Sequence, residues 1–136
     1  MTQNEKDLVL KDLCARLPYG VIVNVKGFDF DFKDKLTQIY KGYGCSIQAT
    51  NNMPYDIEQV KPYLFPLSSM TDEQKQEYTY IVNYISSDDT ENWKEGEFIY
   101  VEQFTQLMHF YHINHLDYMG LIPMGLAIDA TGLNIY

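Results

Sequence analysis

The side chains best suited to chemistry gather late in the chain. His109, His112 and His115 lie three residues apart, and His115-Leu116-Asp117-Tyr118 places an imidazole, a carboxylate and a phenol within four positions. Imidazoles spaced by three or four on one helix face often bind metal, and an imidazole beside a carboxylate can move protons. Helical geometry tests both ideas. At about 100° per residue, with Phe104 centring an apolar stripe, His115 falls about 20° from the stripe, His112 about 80° and His109 about 140°. That fan excludes one ion held by all three. It leaves His112, His115 and Asp117 as a candidate metal set, and His115, Asp117 and Tyr118 as a candidate catalytic set. A structural role competes with both. An unpaired buried polar group costs roughly 1–3 kcal/mol, so a core-facing His115 needs Asp117, or a carbonyl freed at the helix end, as partner. The preferred reading is this helix-terminating polar lock, with no metal and no cofactor.

Other chemistry finds less support. The chain has no Gly-x-Ser-x-Gly elbow, phosphate loop or dinucleotide fingerprint. Gly120 and Gly125 are bracketed by Leu, Ile, Pro and Met, which suits close backbone packing. Cys14 and Cys45 lack zinc-ligand spacing and read as two reduced, mostly buried thiols of a cytoplasmic protein. No apolar run approaches the roughly 20 residues of a membrane span, and the start Met1-Thr2-Gln3-Asn4-Glu5-Lys6-Asp7 lacks the pattern of a secretory signal.

The elements that must position these groups follow from hydrophobic period. Residues 4–17 read as a helix capped by Asn4, with Leu10, Leu13, Cys14 and Leu17 as its apolar stripe and Pro18 as its stop. From Tyr19 the period drops to two. Residues 19–25, 28–33, 36–40 and 45–49 read as four strands, and alternation puts Phe28, Phe30 and Phe32 on one face. Residues 56–60 make one helical turn. Residues 61–67 are extended, and Pro62 and Pro66 restrict them to a sheet edge. This order, about residues 19–67, suits a small antiparallel sheet or an SH3-like barrel. Thr71 and Gln74 then form a capping box for a helix over 71–86, with Tyr78, Ile81, Val82 and Ile85 facing the core. An acidic loop carries Trp93, and a second helix over 100–114 buries Val101, Phe104, Leu107, Met108 and Tyr111. The whole is one α+β domain over 1–136: a helix and β meander to residue 70, and a helical half from 71 packed on it over a shared core.

Charge narrows the partners. The net charge is −9 over 136 residues. Residues 71–102 hold nine acidic side chains against Lys75 and Lys94, and Arg16 is the sole arginine. This argues against direct nucleic-acid binding, which needs a basic stripe, and against an anionic membrane. The acidic stretch 71–102 could instead mimic a nucleic-acid backbone toward a basic protein. Twelve tyrosines favour surfaces that are half apolar and half wet. Tyr80 and Tyr84 point away from the core face beside Glu73 and Glu77, a candidate surface for a protein partner or self-association. A non-enzymatic interaction or regulatory module is therefore preferred over an enzyme or ligand-binding protein.

Three stretches carry a resemblance: Asp12-Leu13-Cys14-Ala15-Arg16-Leu17-Pro18-Tyr19-Gly20-Val21, Lys61-Pro62-Tyr63-Leu64-Phe65-Pro66-Leu67-Ser68-Ser69-Met70-Thr71, and His115-Leu116-Asp117-Tyr118-Met119-Gly120-Leu121-Ile122. Together they resemble a family of small uncharacterised proteins found in gut anaerobic bacteria, their phages and mobile elements. The resemblance implies that genetic setting and no activity. Family members often carry arginine where Phe65 and Met119 stand here, so an anion site built on those arginines is not implied for this chain.

Overall fold

The computed structural model describes residues 1–42, 44–49, 54–86 and 93–136, with side chains described for 1–40, 54–83 and 102–136. Helix α1 spans Gln3–Arg16. Thr2, not Asn4, caps it: the Thr2 hydroxyl accepts from the Glu5 amide at 3.2 Å, and Glu5 accepts from the Thr2 amide at 2.6 Å. Its buried stripe is Val9, Asp12, Leu13 and Arg16, one residue round from the expected one, so Cys14 is exposed. The cause is the ion pair of Asp12 with Arg16, which lets two charged residues face the core. The α-helix ends before Pro18, as expected. Leu17–Tyr19 continues as a 3-10 turn, ended by Gly20 at φ 70°, and the first strand starts only at Ile22.

Strand β1 (Ile22–Lys26) alternates cleanly and buries Val23 and Val25. The next strand, β2 (Asp31–Gly42), merges two expected strands into one. Residues 31–35 of β2 pair with β1, and Leu36 to Gly42 pair with β3 (Gly44–Ala49) across a bulge between Leu36 and Gln38. The expected phenylalanine face fails because the chain turns at 27–30. Phe28 is 104% exposed and Phe30 71%. A Cβ on Gly27 would collide with the Phe30 carbonyl oxygen, so glycine there sets the tight approach. Phe30 leans on Phe32, and Phe32 on Tyr55, in edge-to-face contacts.

Strand β4 (Pro54–Asp56), a 3-10 turn at Ile57–Gln59 and β5 (Val60–Leu64) follow. Two further helices, α2 (Asp72–Ser86) and α3 (Trp93–Ile113), precede a two-residue strand, β6 (Ile128–Asp129). The sheet order is β4-β3-β2-β1-β5-β6. The first five strands, with their 3-10 turn before β5, follow the SH3-like order. Among the described residues no ladder joins β4 to β5 or β6, so the sheet stays open. It is also mixed, because β6 runs parallel to β5. Pro62 thus sits in an inner strand, paired with Val23, contrary to the edge expectation. The β6 ladder begins only at Tyr63, so it never requires an amide from Pro62.

Thr71 and Gln74 cap α2 in both directions, at 2.9 and 3.2 Å. Helix α3 starts at Trp93, seven residues before the expected start and inside the expected loop. Phe104 is 57% exposed whereas Phe110 is buried, so the face of α3 toward α2 is turned from the expected stripe. The packing divides into two clusters where one shared core is expected. Val9 and Leu13 pack with Val21 and with Val23, Val25, Leu36, Val60 and Leu64 of the sheet, while Ile81, Phe110 and Leu116 join the helices. Each such aliphatic side chain removed from water stabilises the fold by about 1.5–3 kcal/mol. Among the described residues no helix is long and apolar enough to cross a membrane.

Candidate functional site

The end of α3 decides what the predicted reactive groups do. Its last carbonyls are satisfied by two backbone bonds, Leu116 N–H to Tyr111 O at 2.9 Å and His115 N–H to His112 O at 3.2 Å. This is the Schellman pattern, with His115 in the left-handed position at φ 53°, where glycine is usual. The helix is therefore terminated by backbone, and His115 lies outside it. The chain then docks on Phe65: Phe65 N–H donates to His115 O, and Asp117 N–H donates to Phe65 O, both at 2.8 Å.

His115 and Asp117 do not pair through their side chains. The His115 ring stacks on Tyr136 with centroids 3.6 Å apart and planes 9° from parallel, and its buried Nδ1 has no hydrogen-bond partner. Burial, then the nearby Arg16 charge, pushes its pKa down to about 4. The buried Asp117 carboxylate instead accepts from the amides of Leu121 at 2.8 Å and Ile122 at 2.9 Å. It holds the turn that carries Gly120, at φ 73°, and a following turn, closed by Gly125 N–H to Ile122 O at 3.0 Å, carries Gly125 at φ 74°. Asp117 thus holds backbone, and His115 packs on the final residue of the chain.

A different network, unseen in the sequence, runs through the interior. Arg16 and Asp12 are both fully buried and joined by an Nε–Oδ2 bond of 2.8 Å. Arg16 Nη2 donates to Leu116 O at 2.7 Å, which ties α1 to the segment after α3. The guanidinium lies 5.2 Å from the centroid of the Tyr118 ring, close enough for a cation–π attraction. Tyr118 in turn stacks on Tyr111 and shares a 2.9 Å hydrogen bond with His112 Nε2. Burial, reinforced by Arg16, lowers the His112 pKa. Burial likewise raises that of Tyr118. Both stay neutral near pH 7, which suits a hydrogen-bonded structural pair better than a proton relay.

The predicted metal and catalytic sets are therefore not assembled. His112 meets Tyr118, His115 meets Tyr136, and Asp117 meets two amides. Among the described residues no three His, Cys, Asp or Glu side chains group to hold an ion. The hollow between α2 and α3, one beside β1 and Gly125, and one along Lys75 to Asn83 are lined by residues other than His115, Asp117 and Tyr118.

The candidate interaction residues are better placed. Tyr80 is 69% exposed, and Glu73 and Glu77 are exposed on the same stripe of α2. The side chain of Tyr84 lies outside the described residues, as does that of Cys45. Of the acidic stretch 71–102, the carboxylates of Asp72, Glu73, Glu77 and Glu102 are exposed, and those between 88 and 97 lie outside the described residues. Tyr80 and Glu77 line a groove of about 570 Å³ between α2 and α3, with Ile81 and Phe110 at its base. Met108, His109 and His112 form the α3 wall, and Tyr19 closes it, its hydroxyl 3.1 Å from His109 Nδ1. Sequence reasoning found Tyr80 from helical angle but missed Tyr19, which only the fold brings to α3. Comparison with known proteins finds no matching family model, no matching curated protein and no matching solved structure.

Proposed function

We propose that this chain is a non-enzymatic interaction or regulatory module that engages a protein partner through the α2–α3 groove. The observation that carries the reading is an exposed Tyr80 standing on the rim of an apolar-based groove, flanked by Glu73 and Glu77. Large exposed aromatics beside a concave apolar surface are typical of contact sites. In the alternative of an enzyme around His115, Asp117 and Tyr118, those side chains are engaged instead with Tyr136, with the Leu121 and Ile122 amides and with His112. The phage or mobile-element setting, and a cytoplasmic location, rest on the sequence alone.

A photo-crosslinking residue at Tyr80, compared with one at exposed Lys11 on α1, tests the proposal in cells. A discrete adduct from position 80, missing from position 11, is the expected result. Equal labelling from both positions, or none from position 80, refutes the groove as the contact surface.

A further inference from the structure

We propose that the occupant of the α2–α3 groove is an amphipathic helix with a basic outer face, supplied by a partner of opposite charge. The proposal rests on the interaction reading above and adds the chemistry of what binds.

Shape selects a helix. The α3 wall runs from Thr105 to His112, which at about 1.5 Å per residue spans about 10 Å, or two helical turns. Its two walls are helices, whose backbone groups are bonded internally, so an added strand finds no ladder to extend. A helix brings its own satisfied backbone and needs only side chains at i, i+4 and i+7 to fill the groove. Ile81 and Phe110 offer an apolar base, while Tyr80 and Tyr19 offer rings with a polar edge.

Charge selects the partner. Glu77 lines the groove, and neither Lys nor Arg does. Glu73 stands one turn before Glu77 on the same stripe and is exposed. Lys75 borders a second hollow, with Gln76, Thr79 and Asn83, that meets the groove only at Tyr80. A second copy of this chain would bring another net −9 and its own Glu73 and Glu77 to the contact. Like charges facing each other oppose association, whereas a lysine-rich face is steered in.

The test uses three fluorescein-labelled helical peptides of about fourteen residues. One carries leucines at i, i+4 and i+7 with lysines outside, one the same leucines with glutamates outside, and one the lysine composition with leucines scattered. Fluorescence anisotropy against the full chain reads the affinity. The lysine-faced peptide is expected to bind at least about tenfold tighter than the other two, and more weakly as salt rises. Glu73→Lys/Glu77→Lys should abolish that preference, and Tyr80→Ala should cut affinity at least about fivefold with the melting temperature unchanged. Equal or tighter binding of the glutamate-faced or scattered peptide overturns the proposal, as does an unaffected Tyr80→Ala. If no peptide binds but sedimentation shows a dimer that Tyr80→Ala dissociates, the basic helix is overturned and the interaction reading stands. If no peptide binds and Tyr80 also yields no crosslinked adduct, both fall.

Discussion

Replacing Arg16 by methionine should destabilise the protein severely, and replacing Asp12 at the same time should restore most of the loss. Both side chains are fully buried. Removing one member of such a pair leaves an uncompensated charge, at about 3–5 kcal/mol. Arg16→Met also strips the Nη2 donor from Leu116 O, a loss of about 1–3 kcal/mol, so the single variant should lose about 4–8 kcal/mol. Asp12→Leu/Arg16→Met removes the stranded carboxylate and keeps only the Leu116 loss, leaving a deficit of about 1–3 kcal/mol. The wild-type pair is itself incompletely satisfied, since Asp12 Oδ1 and Arg16 Nη1 are buried without partners, which favours the apolar replacement further. Urea unfolding with linear extrapolation measures all the variants. A second reading comes from pH. Burial already raises the Asp12 carboxyl, and Arg16 opposes that rise. Without Arg16 it rises further, and a carboxyl whose folded pKa exceeds the unfolded one gains stability as pH falls between the two. The Arg16→Met penalty should therefore shrink from pH 7 to about pH 4. A double variant less stable than Arg16→Met, or a penalty independent of pH, refutes the stranded-charge account.

His115 titrates in the opposite sense. Its pKa is lowered to about 4, so between about 6.5 and about 4 the unfolded chain takes a proton that the native ring refuses, and stability is lost as pH falls across that window. After allowance for partial exposure the loss is about 1–2 kcal/mol. His115→Asn, which keeps a residue tolerant of the left-handed backbone, should flatten this limb in urea midpoints taken from pH 7 to 4. Asp117→Ala should cost about 3–5 kcal/mol, because it orphans one buried and one part-buried amide that had a charged acceptor. Asp117→Asn, with one carbonyl oxygen left, should cost about half as much. Hydrogen exchange at Leu121 and Ile122 should accelerate first.

The order of elements was legible because hydrophobic period changes sharply at Pro18 and Thr71, and because Thr71 and Gln74 announce a helix start. The faces were less legible. Asp12 and Arg16 look like solvent residues one at a time, but as an i, i+4 pair they neutralise each other and turn α1 by one position. Phe104 and Phe110 are equally apolar in sequence, and only the placement of Tyr78 and Ile81 against α3 decides that Phe110 goes inside. The surroundings of His115 were misread because the helix ends through backbone bonds that any residue tolerating φ 53° can make. Tyr19, Tyr118 and Tyr136 meet their partners across long stretches of chain, and no local pattern encodes such contacts. Tyr80 was the candidate that local geometry placed well, since an outward angle on a helix needs no knowledge of the rest.

Strand β5 has an uneven history during folding. Its partner β1 precedes it, with Val23 opposite Pro62, but its other edge is covered by Leu116 opposite Phe65, 51 residues later, and by Ile128 opposite Tyr63, 65 residues later. Loop closure of that length is slow relative to hairpin formation. Until the final segment docks, Tyr63, Leu64 and Phe65 present unpaired amides and carbonyls beside apolar side chains, a surface prone to recruit another chain. The residues after α3 thus act as an internal chaperone for β5, and the window before they arrive is when this protein is most exposed to aggregation.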